Sequence, residues 1–170
     1  MRFLLILLVC LPQFLWAFTP SESFISYLQQ AENAEKKGWN SEKKLWFPHD
    51  SPEGGTQTIG YGHKLQGKED FSEGLTDEQV RDLLLRDICA AANTCRGTVD
   101  NFDNLTQRQR EMLVDFAFNL GTLKSFPKFV AAVIRNDLPT MRREYKRYAI
   151  IGGKKQPLSR NTAFYKHFLS

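Results

Sequence analysis

Cysteine is scarce in this chain of 170 residues, with Cys10, Cys89 and Cys95 as the full set and no redox pair among them. Histidine is as rare: His49, His63 and His167 have no partners at metal-ligand spacing, so no metal is expected. A phosphate-cradling glycine loop and a Ser-His-Asp set are both missing, which removes the commonest nucleotide-binding and nucleophilic chemistries, and no cofactor is called for. Repeats and low-complexity segments are absent too.

A bilayer-spanning run is also lacking. Phe3–Leu11 is the longest apolar stretch at nine residues, where a membrane helix needs roughly 20. Behind Arg2 and ahead of Pro12 and Ala17 it reads as a leader, residues 1–17, cut before Phe18. Leu15 is bulky for its place before the cut, which leaves a releasable signal-anchor as the alternative. Export places the remaining domain, residues 18–170, outside the cytoplasm, secreted or periplasmic, with membrane contact through the leader only and a monomer expected.

What is present fits one folded domain: 42% of residues are hydrophobic, enough for a sizeable core. The net charge of +4 favours an anionic partner without naming it. Its clusters are Arg142–Arg147, read first as a solvated helix face, and Lys154-Lys155; nucleic acid would bind the same charges and is not assigned as a partner. Cys89 and Cys95 remain after export, and a disulfide is the favoured expectation over two free buried thiols. Six residues apart on one helix they differ by about 9 Å in rise, beyond the roughly 7 Å limit for a bridge. The bridge therefore requires the helix to end near Ala92-Asn93-Thr94.

Local signals give the element order. Thr19-Pro20-Ser21-Glu22 predicts a helix capped by Thr19 and running to about Lys37. Along it Ile25, Leu28, Ala31 and Glu32 recur at helical spacing, so a carboxylate interrupts an inward stripe. Trp39–Lys44 reads as loop, Leu45–Phe47 and Gln57–Tyr61 as an antiparallel hairpin. Thr76 with Gln79, and Thr106 with Gln109, announce two long helices, the second stopped by Gly121. Helices after Phe126-Pro127, Asp137 and Ser159 complete a C-terminal half expected to be helical throughout.

One stretch, Glu53–Leu65, combines glycines with β-formers, so the backbone both turns sharply and comes close to something. Within it Thr58-Ile59-Gly60-Tyr61-Gly62-His63 resembles the signature of the phage-type lysozymes, glycoside hydrolase family 24, which cleave the sugar backbone of bacterial walls. Leu113–Gly121 followed by Phe126 resembles the central helix of that family's larger lobe. Tyr148–Arg160 is similar to its closing loop and Arg-bearing helix. The resemblance implies an α+β, mainly α fold: two lysozyme-like lobes, a small N-terminal β-hairpin lobe and a helical C-terminal one. It also implies peptidoglycan glycan strands as substrate and an N-acetylmuramidase activity, serving host lysis or antibacterial attack. A lytic transglycosylase and an inactive wall-binding module are the alternatives.

Hydrolysis of a glycosidic bond calls for a proton donor and a second group facing it, normally two carboxyls. Carried over by resemblance, the catalytic positions are Glu32 as acid, Asp50 as the water-orienting carboxylate and Thr58 beside it. The family's usual Gly after the acid is Asn33 here, and the interval from Glu32 to His63 is long. Glu35 therefore competes with Glu32, and Glu53 with Asp50. His63 is read as structural, paired with an acid between the lobes.

Overall fold

A computed structural model of the chain describes residues 18–51, 56–151 and 153–170. The leader and Glu53 lie outside the described residues. Helix α1 (Glu22–Asn33) begins one device later than expected: Ser21, not Thr19, is the cap, its hydroxyl accepting from the Phe24 amide. The Ser21 amide is in turn taken by Glu111, 90 residues away. The helix ends at Asn33 rather than Lys37, because the Asn33 side chain accepts from the Lys37 amide and turns the chain there.

Five short strands follow. β1 (Trp39–Asn40) pairs antiparallel with β2 (Leu45–Trp46), so the predicted loop is partly strand. β3 (His49–Asp50), β4 (Gln57–Ile59) and β5 (His63–Lys64) form a three-stranded antiparallel sheet, with His49 opposite Thr58 and Asp50 opposite Gln57.

α2 (Asp77–Arg96) carries the Thr76/Gln79 capping box, and α3 (Gln107–Leu120) the Thr106/Gln109 one, with Gly121 closing α3 at φ 70°. Both capping boxes stand where the sequence predicts them, because they rest on contacts within four residues. α2 joins the lobes: Val80 and Leu83 pack with Trp46 and Ile59 in the small core, while Leu84 and Ile88 enter the large one.

Because α2 is unbroken through Ala92, Asn93 and Thr94, the disulfide cannot form; Cys89 and Cys95 are free thiols. Burial pushes the Cys95 thiol up to about 12.

α4 (Pro127–Ile134) and α5 (Leu138–Glu144) cover the large core, where Phe116 stacks on Phe129 at 4.2 Å between ring centroids. The C-terminal half is not helical throughout. β6 (Tyr148–Ile151) and β7 (Lys154–Pro157) form a hairpin before α6 (Arg160–Phe164), which runs into a π-helical turn, Tyr165–Leu169.

Candidate active site

A cleft of about 440 Å³ opens between the end of α1 and the three-stranded sheet, lined by Glu32 and Glu35 on one side and His49, Ser51 and Thr58 on the other. Two glycines of the Thr58–His63 run make it possible. Gly60 (φ 61°) lies against Val80 of α2, where a Cβ would collide with the valine methyl, so only glycine lets the sheet seat on the helix. Gly62 (φ 89°) passes beneath the acid, its position for a Cβ 3.4 Å from Glu32 Oε2. These are the close approaches that the glycine pattern announces.

Glu32 is held from behind. Arg160 donates to its Oε1, and the same guanidinium reaches Asp115 Oδ1 at 2.6 Å. Asp115, fully buried on α3, also accepts from Arg147 at 2.8 Å and from the Tyr27 hydroxyl at 2.9 Å. Arg147 is buried as well, its guanidinium packed against the rings of Phe116 and Phe164. Two carboxylates and two guanidiniums thus share one dry cluster.

Burial raises the Glu32 carboxyl above its ordinary 4.5, and the nearby Arg160 only partly opposes that. A side chain 21% exposed, at the end of this cluster and open to the cleft, is placed to hold a proton and give it up. Glu35, by contrast, is 81% exposed and paired with Lys37 at 3.9 Å.

The opposite wall is looser. Thr58 is buried, with Oγ1 3.4 Å from His49 Nδ1 and 3.5 Å from the His49 carbonyl, at the outer limit of hydrogen bonding. Alternation along a strand gives successive side chains to opposite faces. His49 and Ser51 line the cleft, whereas Asp50 between them is exposed and is not part of the lining. Glu32 and Thr58 are thus brought to one cavity and Asp50 is set at its outside. His49 is the lining residue that the sequence reading passed over; its place directly opposite Thr58 in the register is the signal that could have found it. Its Nε2 is buried without a hydrogen-bond partner among the described residues.

Asn33 ties the two walls together, donating to the Gly60 carbonyl at 2.8 Å and to the Lys37 carbonyl at 3.0 Å. His63 fixes the sheet to α2, with Nδ1 2.9 Å from Asp87 and Nε2 3.0 Å from Glu69. That is the structural pairing expected of it. Trp46 is fully buried and donates to Asp77 at 2.6 Å, so it is core rather than a sugar platform. No group of three or more potential metal ligands occurs among the described residues.

A helical lobe, a small sheet lobe and an acid in the cleft between them define a lysozyme-like glycosidase. The chain belongs to the phage lysozyme family, whose model matches residues 46–161. It is accordingly a glycoside hydrolase, a muramidase acting on peptidoglycan. Among solved structures, the muramidase domain of SpmX from Asticaccaulis excentricus is similar at a TM-score of 0.59 and 22% identity, over 89% of this chain and 98% of that one. No curated protein sequence matches. The family match contains Asp50, Thr58, Asp115 and Arg160; Glu32 lies upstream of it.

Proposed function

We propose that the enzyme is exported through residues 1–17 and cuts the β-1,4 bond between N-acetylmuramic acid and N-acetylglucosamine, in host lysis or in attack on bacteria. Glu32 is the general acid: it protonates the leaving oxygen, and Arg160 steadies the carboxylate that results. The observation that carries this reading is the partly buried Glu32 carboxyl, backed by Arg160 and facing Thr58 across the cleft. Thr58 holds the attacking water beside His49. The second carboxylate is Asp50 as the first choice, with Glu53 as the alternative.

The sign of the pH effect follows from the raised carboxyl. The acid must be protonated to act, so wall clearing declines as pH rises through the Glu32 titration, above 4.5. Glu32→Gln keeps an acceptor for Arg160 but has no proton to give. It should cost about 10²-fold or more in clearing of a wall suspension, with the thermal melt little changed. Full activity in that variant would remove Glu32 from the role.

A second reading is favoured by Asp50 standing outside the cleft lining. A lytic transglycosylase needs the acid and no water-orienting carboxylate, and leaves 1,6-anhydro ends. Mass spectrometry of digested wall separates the two, since hydrated reducing ends exclude the transglycosylase.

A further inference from the structure

Away from the cleft, positive charge gathers on one side of the helical lobe. Besides Arg147, which is buried against Asp115, residues 121–158 carry eight lysines and arginines against Asp137 and Glu144 alone, in a chain whose net charge is only +4. Two grooves adjoin there. One, of about 520 Å³, is lined by Lys128, Lys146, Tyr148 and Lys155 among others; the next is lined by Lys128, Arg135 and Arg143. Glu144 is the one carboxylate in either lining, and it pairs with Arg143 at 3.2 Å.

The β6–β7 hairpin stands over the first groove. Its register sets Tyr148 opposite Pro157 and Ile150 opposite Lys155, so these side chains share a face. Lys155 Nζ lies 4.5 Å from the Tyr148 ring centre. Ile150 is 71% exposed, the most exposed large apolar side chain among the described residues.

We propose that this face docks on an anionic phospholipid bilayer. Ile150 enters the boundary between headgroups and acyl chains, Tyr148 lies at headgroup depth, and Lys128, Lys146 and Lys155 meet lipid phosphates. The combination selects the partner. A phosphate polymer dissolved in water would use the lysines but gains nothing from an exposed isoleucine. A bilayer rewards both, because the apolar tip leaves water while the basic groups stay at the charged surface. Among the described residues no helix is long and apolar enough to cross a membrane, so the contact is peripheral. It is separate from the leader and independent of which residues carry out catalysis.

The test is sedimentation of the full-length chain with vesicles of mixed phosphatidylglycerol and phosphatidylcholine, beside vesicles of phosphatidylcholine alone. Leader insertion appears with both and is the same for every variant, so the difference between vesicle types reports the proposed face. Binding to the anionic vesicles should weaken with salt. Ile150→Ser should lower it about tenfold, and Lys146→Gln with Lys155→Gln roughly tenfold or more. Hydrolysis of soluble wall fragments and the thermal melt should stay at wild-type values in both variants. Loss in the lysine variant with wild-type binding by Ile150→Ser would overturn the proposal in favour of a dissolved polyanion. Wild-type binding by both would remove this face altogether.

Discussion

On the α1 side of the cleft, Glu32 is fixed by Arg160, and Arg160 by Asp115, which also gathers Arg147 and Tyr27. On the sheet side, the Thr58 hydroxyl reaches only His49 among the described residues, at 3.4 and 3.5 Å, and Asp50 is exposed. One wall is thus over-determined by buried charge, the other adjustable. The difference suits the proposed chemistry: an acid whose proton affinity depends on burial must not move, whereas the group proposed to hold water has to accommodate a sugar ring. It also separates the costs of mutation. Changes behind the acid should damage the fold, and changes on the sheet should damage geometry alone.

The largest effect is expected at Asp115. Asp115→Asn leaves Arg147 and Arg160 buried together without their shared counter-charge, at a cost of about 3–5 kcal/mol. For a chain of this length, with about 2–4 °C per kcal/mol, the melting temperature should fall by roughly 10 °C. Asp50→Asn is the contrast, within about 0.5 kcal/mol because its side chain stands in water. Comparable melts for the two variants would break the distinction between the walls.

Sequence made the first link of this cluster visible and hid the second. Glu32 shows itself because a carboxylate interrupts an apolar stripe at helical spacing, a purely local pattern. Arg160, which holds it, is 128 residues away; it enters through the resemblance of Tyr148–Arg160, and nothing local ties it to Glu32. The same division runs through the fold. Thr76, Thr106 and Gly121 act on neighbours within a turn and are legible. Ser21 displaces Thr19 as the cap of α1 where the distant Glu111 takes the Ser21 amide, and no window around α1 contains that fact. The β6–β7 hairpin reads as loop because its glycines and lysines carry little strand preference. The expected disulfide rested on a break at Ala92–Thr94, yet α2 continues to Arg96: Asn93 and Thr94 are weak helix formers, and the burial of Ala91, Ala92 and Cys95 on the same helix overrides that preference. Asp50 entered by resemblance, and only the register, with His49 opposite Thr58, shows which neighbour faces the cleft.

Asn33 bridges the rigid wall and the adjustable one, so it sharpens the comparison. Asn33→Ala removes the donor to the buried Gly60 carbonyl and both bonds to Lys37. Leaving that carbonyl unpaired costs about 1–3 kcal/mol. Hydrogen exchange should then quicken at β4 and β5 amides while α3 amides near Asp115 keep their protection. Uniform loss of protection in both lobes would show that the walls open as one unit.

The smallest effect tests how the sheet is seated on α2, and here the sign matters. Burial alone would lower the His63 imidazole. The hydrogen bonds and charges of Glu69 and Asp87 outweigh that and raise it above 6.5, while burial pushes Asp87 up despite the pairing. A base bound more tightly to its proton in the folded state stabilises the fold fully below its unfolded value of 6.5. That contribution is lost as pH rises through the higher folded value. The raised Asp87 carboxyl acts with the same sign, its contribution also being lost as pH rises. Melting temperatures of wild type and His63→Gln, compared from about pH 5 to about pH 9, should therefore differ most at the acid end and converge above 6.5. A gap that widens with pH would mean that His63 sits neutral in the fold, and that the sheet is held to α2 by the packing of Ile59 and Gly60 on Val80 and Leu83.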